Sequence, residues 1–283
     1  MISRLIRPFL ALTAVASLGL AGCSTAEHMA YAPVKGDAKP HPGVAHAQQY
    51  AIHGVDISKW QGDVDFQALK SSGVKFVFMK ATEGGDHADE RFPINWAGAR
   101  AAGLHYGAYH FVYWCRPAHE QAAWFKQHIP SDPNAMPPVL DLEWNGESRT
   151  CPRKIPAEDA RAKIQIMLDE LEAHTGKKPI IYTDITFHKD VLEGYFNDYP
   201  FWLRSVASDP QEKYVNRRWA LWQYTTTGRV PGVVGNIDRN TFYGTREQWA
   251  MFTGQRQPAA PKGMEPPPAN DTQMLSAIAM APM

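Results

Sequence analysis

Five short apolar segments, separated by stretches long enough to hold a helix, constrain this chain more than any other feature. Residues 52–58, 75–80, 105–112, 138–143 and 179–183 read as strands. Parallel neighbours need crossovers of roughly a dozen residues or more, and the intervening segments supply them as right-handed βα units. The clearest helix follows Pro156. Glu158 and Asp159 occupy its first turn, Ala160, Ile164, Met167, Leu168 and Leu171 mark one face, and Gly176 stops it. Beyond residue 200 the rhythm changes. Candidate strands 201–206, 219–224 and 236–240 are too close together for regular crossover helices, so neighbours there are expected to pair antiparallel or through irregular loops. Five βα units followed by three strands predict an α/β fold, an irregular TIM-like (β/α)5(β)3 barrel in a single domain over residues 50–253.

The flanks have a different character. Arg4 and Arg7 precede an apolar run ending at Leu20-Ala21-Gly22-Cys23, which looks like a bacterial lipobox. Residues 1–22 then form a lipoprotein signal peptide, and Cys23 is the lipidated first mature residue, holding the protein to a membrane without a transmembrane helix. Ser24 in place of an aspartate points to the outer membrane of the bacterial envelope. Residues 23–49 and the Pro/Ala/Met-rich 254–283 lack periodicity and are expected to be a disordered tether and tail. Loss of Arg4 and Arg7 turns the balance of 29 basic and 29 acidic residues slightly negative, which gives no reason to expect nucleic acid as a partner. Cys115 and Cys151 would face an oxidising compartment. Both emerge at the rim where the third and fourth strands end, so they are expected to form a disulfide.

The sharpest chemical signal is Val139-Leu140-Asp141-Leu142-Glu143. Alternation on a strand puts Asp141 and Glu143 on the barrel face and both leucines toward the helices. Adjacent carboxylates raise each other's cost of ionisation, so one stays protonated as a general acid while the other is charged. An isolated Asp-x-Glu triplet is more often a solvated strand end, but its neighbours change that weight. Asp56 in Gly54-Val55-Asp56-Ile57-Ser58 and Asp238 in Ile237-Asp238-Arg239-Asn240 fall on the first and last strands, which adjoin in a closed barrel. Four acids at one mouth suit an oxocarbenium-like sugar transition state. Trp60, Tyr109, Trp114, Trp144, Tyr182 and Trp222 cluster at the same strand ends, where sugar rings could stack on them. Tyr109, Tyr182 and Trp222, with Gln223 beside the last, are the candidate substrate contacts.

Together with Trp60-Gln61-Gly62, Lys80-Ala81-Thr82-Glu83-Gly84, Gly107-Ala108-Tyr109-His110-Phe111, Ile181-Tyr182-Thr183 and Leu221-Trp222-Gln223-Tyr224, these motifs occur in an order that resembles glycoside hydrolase family 25, the lysozymes or N-acetylmuramidases. The resemblance covers about residues 52 to 250. It implies hydrolysis of the β-1,4 bond between N-acetylmuramic acid and N-acetylglucosamine in peptidoglycan, without a cofactor and with net retention. It also implies Glu143 as general acid and base, and Asp141 as nucleophile or as the carboxylate that orients the substrate acetamido group. Asp56 and Asp238 would be further pocket acids. Spacing leaves the stereochemical outcome open, since residues two apart on a strand have Cα atoms roughly 6.6 Å apart and rotamers decide the rest.

One departure is Trp202-Leu203-Arg204-Ser205-Val206, where the family pattern has small apolar residues and then an aromatic. Arg204 is read as solvent-facing, with a substrate-facing charge as the alternative. His105, His110 and His119 lack a convincing ligand arrangement, so no metal is expected, and His110 is read as a packed residue. The protein is expected to act as a monomer on glycan strands. The competing expectation, a non-catalytic envelope lipoprotein that binds peptidoglycan, is disfavoured because all four acids are present.

Overall fold

The computed structural model describes residues 41–254. The expected signal segment and Cys23, the expected tether up to residue 40 and the expected tail from 255 onward lie outside the described residues. Within them, eight strands close into a barrel: β1 (His53–Ile57), β2 (Phe76–Glu83), β4 (His105–Phe111), β5 (Val139–Leu142), β6 (Ile180–Thr183), β7 (Phe201–Arg204), β8 (Leu221–Gly228) and β9 (Ile237–Phe242). A two-residue strand, β3 (His87–Ala88), hangs on the far end of β2 and adds to the eight strands expected from the sequence. Every ring neighbour is parallel except β9, which runs antiparallel to both β8 and β1. Antiparallel pairing beyond residue 200 is therefore confined to β9. The β7–β8 pair stays parallel, joined by an irregular crossover.

The helical layer comprises α1 (Phe66–Ser71), α2 (Phe92–Ala102), α3 (Ala118–His128), α4 (Ala157–Thr175), α5 (Ile185–Phe187) and α6 (Pro210–Lys213), and α7 (Arg246–Phe252) follows β9. In α4 the buried residues are Ala160, Ile164, Met167, Leu168 and Leu171, and Gly176 takes the left-handed conformation that ends it, as the periodicity implies. Pro156 stands at the cap, one position before the first helical residue.

Strand alternation divides the core in two. Outward residues such as Val55, Val77, Leu140, Ile181 and Leu203 join the helices, and inward ones such as Phe76, Phe78, Val139, Trp202 and Phe242 fill the barrel. The filling is tight. A Cβ on Gly54 would sit 2.4 Å from the Phe76 ring, and one on Gly107 2.5 Å from Phe78. Trp249 and Phe252 of α7 close the end where the parallel strands begin, packing against Phe76 and Phe242. The opposite end is left open.

The expected tether boundary at residue 49 is corrected by the fold. Pro42–Gln49 forms a helical turn with Val44 and Ala47 fully buried against the barrel beside β8. Tyr50 then meets Trp219 and Tyr243 edge-on or tilted. Strands β8 and β9 have no crossover helix between them, so their outer faces need another apolar cover, and this segment supplies part of it.

Candidate active site

The reversed direction of β9 builds the mouth. Asp56 lies near the end of β1 and Asp238 near the start of β9, yet antiparallel pairing makes them Cα partners. On β5, Asp141 shares the inward face with Val139, and Glu143 follows at the strand end while Leu140 and Leu142 pack outward. Five carboxyls, Asp56, Asp141, Glu143, Asp184 and Asp238, line a cavity of ≈ 400 Å³ together with Tyr109, Tyr182, Trp202, Arg204, Gln223 and Thr226. A second cavity of ≈ 280 Å³ shares Asp56, Tyr109, Asp141 and Asp238, and extends over Ser58, Trp60, Gln61, Lys80 and Phe111. The two form one groove with the acids at its centre.

Beneath the acids runs a buried hydrogen-bond network. The Trp202 indole donates to Asn240 Oδ1 at 2.8 Å, and Asn240 Nδ2 donates to Asp56 Oδ1 at 2.7 Å. Gln223 Nε2 donates to the same oxygen at 3.0 Å, while its Oε1 accepts from the Tyr182 hydroxyl at 2.8 Å. Asp56 is thereby held in one orientation by groups from β6, β7, β8 and β9. By contrast, Asp141 Oδ1 is buried without a hydrogen-bond partner among the described residues. Such an atom carries a desolvation cost that a ligand donor would relieve.

Crowding and burial raise the acids together. Burial, then the charge of Asp184, pushes the Glu143 carboxyl up to about 7, against the opposing pull of Arg204. Burial and neighbouring Glu143 hold Asp141 well above the usual carboxylate range. Burial and Asp56 push Asp238 up to about 8. Asp56 is also raised, because burial outweighs its hydrogen bonds from Asn240 and Gln223. Carboxyls this close share protons, so the cluster holds both acid and base near neutral pH.

Of the candidate contacts, Tyr109, Tyr182 and Gln223 line the cavity. Gln223 is almost fully buried, so its larger contribution is to hold Asp56. Trp222 is a correction. Its side chain is completely buried in the outer core, and its indole donates to the Ser205 carbonyl at 2.8 Å. Adjacent strand residues point to opposite faces, so Trp222 and Gln223 cannot both face the groove. Trp114 and Trp144 pack on Phe187 rather than in the groove, whereas Trp60, 81 % exposed, stands at its rim. Arg204 is the second correction. It faces the cavity, on the same side of β7 as Trp202. Sequence reasoning also missed Asp184 and Asn240, each two residues along the chain from a recognised site residue. The Cys115–Cys151 disulfide forms as expected, with Cα atoms 5.6 Å apart. His110 is buried, with Nδ1 hydrogen-bonded to Thr82 and Nε2 facing Gln121.

A closed barrel with clustered carboxyls where its parallel strands end is the architecture of a glycoside hydrolase, and the chain belongs to glycosyl hydrolase family 25, whose profile residues 55–233 match. Among its relatives, the protein YegX of Escherichia coli K12 is 38% identical over 229 residues, 78% of this chain and 79% of that protein. Lysozyme M1 of Streptomyces globisporus is 33% identical over 71% of each chain. The solved family 25 glycosyl hydrolase of Bacillus anthracis superposes with a TM-score of 0.67 at 33% identity, covering 75% of this chain and 96% of that one.

Proposed function

We propose that this enzyme is a lysozyme, hydrolysing the β-1,4 bond between N-acetylmuramic acid and N-acetylglucosamine in peptidoglycan. The observation that carries the reading is the Asp141–Glu143 pair at one end of β5, inside a groove of raised carboxyls. Glu143 gives its proton to the glycosidic oxygen as the C1–O bond breaks, and then takes a proton from the water that attacks C1. Between these steps C1 is held either by the Asp141 carboxylate or by the substrate's own acetamido oxygen, which Asp141 orients through its N–H. The unpartnered Asp141 Oδ1 is available for either role. Asp56 and Asp238 share a proton, and the ionised member of the pair stabilises the positive charge that develops on the sugar. The names of relatives such as Lysozyme M1 support the polymer assigned.

The protein works as a monomer on glycan strands, tethered through a lipid on Cys23 at the outer membrane. Mass spectrometry of sacculi digested by the enzyme tests the cleavage. New reducing ends on N-acetylmuramic acid are expected, and reducing ends on N-acetylglucosamine would overturn it. A 2-deoxy-2-fluoro glycoside separates the two roles of Asp141, since only a nucleophile is left with a covalent sugar. For the anchor, Cys23→Ala is expected to move the protein out of the detergent phase.

A further inference from the structure

We propose that Arg204 is a specificity-determining residue whose guanidinium receives the free lactyl carboxylate of muramoyl residues that carry no stem peptide. The inference rests on the lysozyme reading above and deepens it. It places the enzyme after an amidase-class reaction, in which water splits the amide between the lactyl carboxyl and the first amino acid, leaving a carboxylate on the sugar and an amine on the released peptide.

Arg204 ends β7 and lies beside Gln223 of β8, lining the larger cavity with Glu143 and Asp184. It is half-buried, and its guanidinium makes no ion pair and no hydrogen bond with any described residue, although it carries five donors. Lys80, the cation of the adjoining cavity, is already committed. It pairs with Glu83 and lies over the Phe111 ring. The groove therefore offers a ligand one cation whose hydrogen-bond donors are unused among its described lining residues.

Tuning the catalytic acid does not explain that cation. Arg204 lowers Glu143, against the elevation that keeps an acid protonated, and its pull on Asp56 and Asp238 leaves both still raised. Nor does a neutral sugar need it, because hydroxyls and acetamido groups find partners among the tyrosines and carboxyls of the groove. A planar fork of N–H donors fits a carboxylate through two parallel hydrogen bonds. In a pocket with five acids it would also offset the repulsion that an anionic saccharide meets. Muramic acid is the sugar of this polymer that bears a carboxyl, on its lactyl ether. While the stem peptide is attached that carboxyl is a neutral amide, and its removal exposes the anion.

The test compares kcat/KM on two purified substrates, glycan strands with stem peptides and the same strands stripped by an amidase. The wild-type enzyme is expected to prefer the stripped strands by about tenfold. In Arg204→Gln that preference should fall to near one, mainly through a higher KM on stripped strands, and Arg204→Lys should restore part of it. Equal losses on both substrates, with a shifted pH profile, would show that Arg204 acts through Glu143 and overturn the proposal. An unchanged preference would overturn it as well. Failure of the wild-type enzyme to cleave either strand would instead defeat the lysozyme reading.

Discussion

Burial and the charge of Asp184 push the Glu143 carboxyl up to about 7, so near neutral pH a sizeable fraction of molecules holds the proton that a glycosidic oxygen needs. Glu143→Gln keeps the shape and removes that proton. The rate on purified sacculi is expected to fall by roughly 10²–10⁴-fold with an unchanged circular dichroism spectrum. Near-wild-type turnover would show that another group is the acid. The same environment sets the pH profile. Because Glu143 must be protonated to act, kcat/KM should decline as pH rises through about 7. A negative Asp184 raises Glu143, so Asp184→Asn should move that alkaline limb to lower pH. Asn retains the cap that Asp184 Oδ1 provides to the Phe187 amide at 2.7 Å. A limb that stays in place would remove Asp184 from the tuning of the acid.

At the scale of elements, the segment after β5 is tied to the segment after β4 at several points. The Trp114 indole donates to the Glu143 carbonyl at 2.7 Å, and the Trp114 amide donates to Asn145 Oδ1 at 3.1 Å. Asn145 Nδ2 donates to the Val112 carbonyl at 2.9 Å, and the Cys115–Cys151 bridge closes the far end. The hydrogen bonds hold the backbone of Glu143, and the disulfide restrains the more exposed stretch 146–150. Closing a loop of this length contributes roughly 3–4 kcal/mol in the chain-entropy model, while the barrel core does not involve the bridge. Reduction is therefore expected to lower turnover several-fold while the far-ultraviolet spectrum at 25 °C remains native. Parallel loss of structure and activity would mean that the bridge holds the barrel rather than the groove.

For the whole molecule, the cost of gathering acids in one mouth appears as a pH-dependent stability. Asp238 is raised to about 8 and Glu143 to about 7, and Asp56 and Asp141 are raised as well. Groups whose folded pKa exceeds the unfolded value stabilise the fold fully below the unfolded value, near 4, and that contribution is lost as pH rises through the folded values. Thermal stability should therefore fall between about pH 4 and 8. Asp238→Asn replaces the carboxyl with a neutral isostere, so its Tm should lie nearest the wild type's at pH 4 and exceed it by several degrees at pH 9. About 1 kcal/mol corresponds to roughly 2–4 °C for a domain of this size. An equal difference at both pH values would point to packing instead of ionisation.

Local patterns determined much of this protein. Period-two alternation separated Asp141 and Glu143 from Leu140 and Leu142, and period 3.6 marked the buried face of α4 and its stop at Gly176. The strand count implies ring closure, and closure alone brings Asp56 and Asp238 onto adjoining strands, where the register makes them partners. The errors arose where a residue's meaning depends on distant neighbours. Alternation separates Trp222 from Gln223 but does not say which of them faces in; closure of the sheet puts Gln223 on Asp56 and Trp222 in the outer core. The helical turn at Pro42–Gln49 buries only Val44 and Ala47, too few positions to mark a core face in the sequence, and β8 offers it an uncovered apolar face. Arg204 looks in sequence like any charge at a strand end. Only the tertiary structure placed it among five carboxyls without an ion-pair partner among the described residues, because electrostatic environment is a sum over groups far apart in the chain.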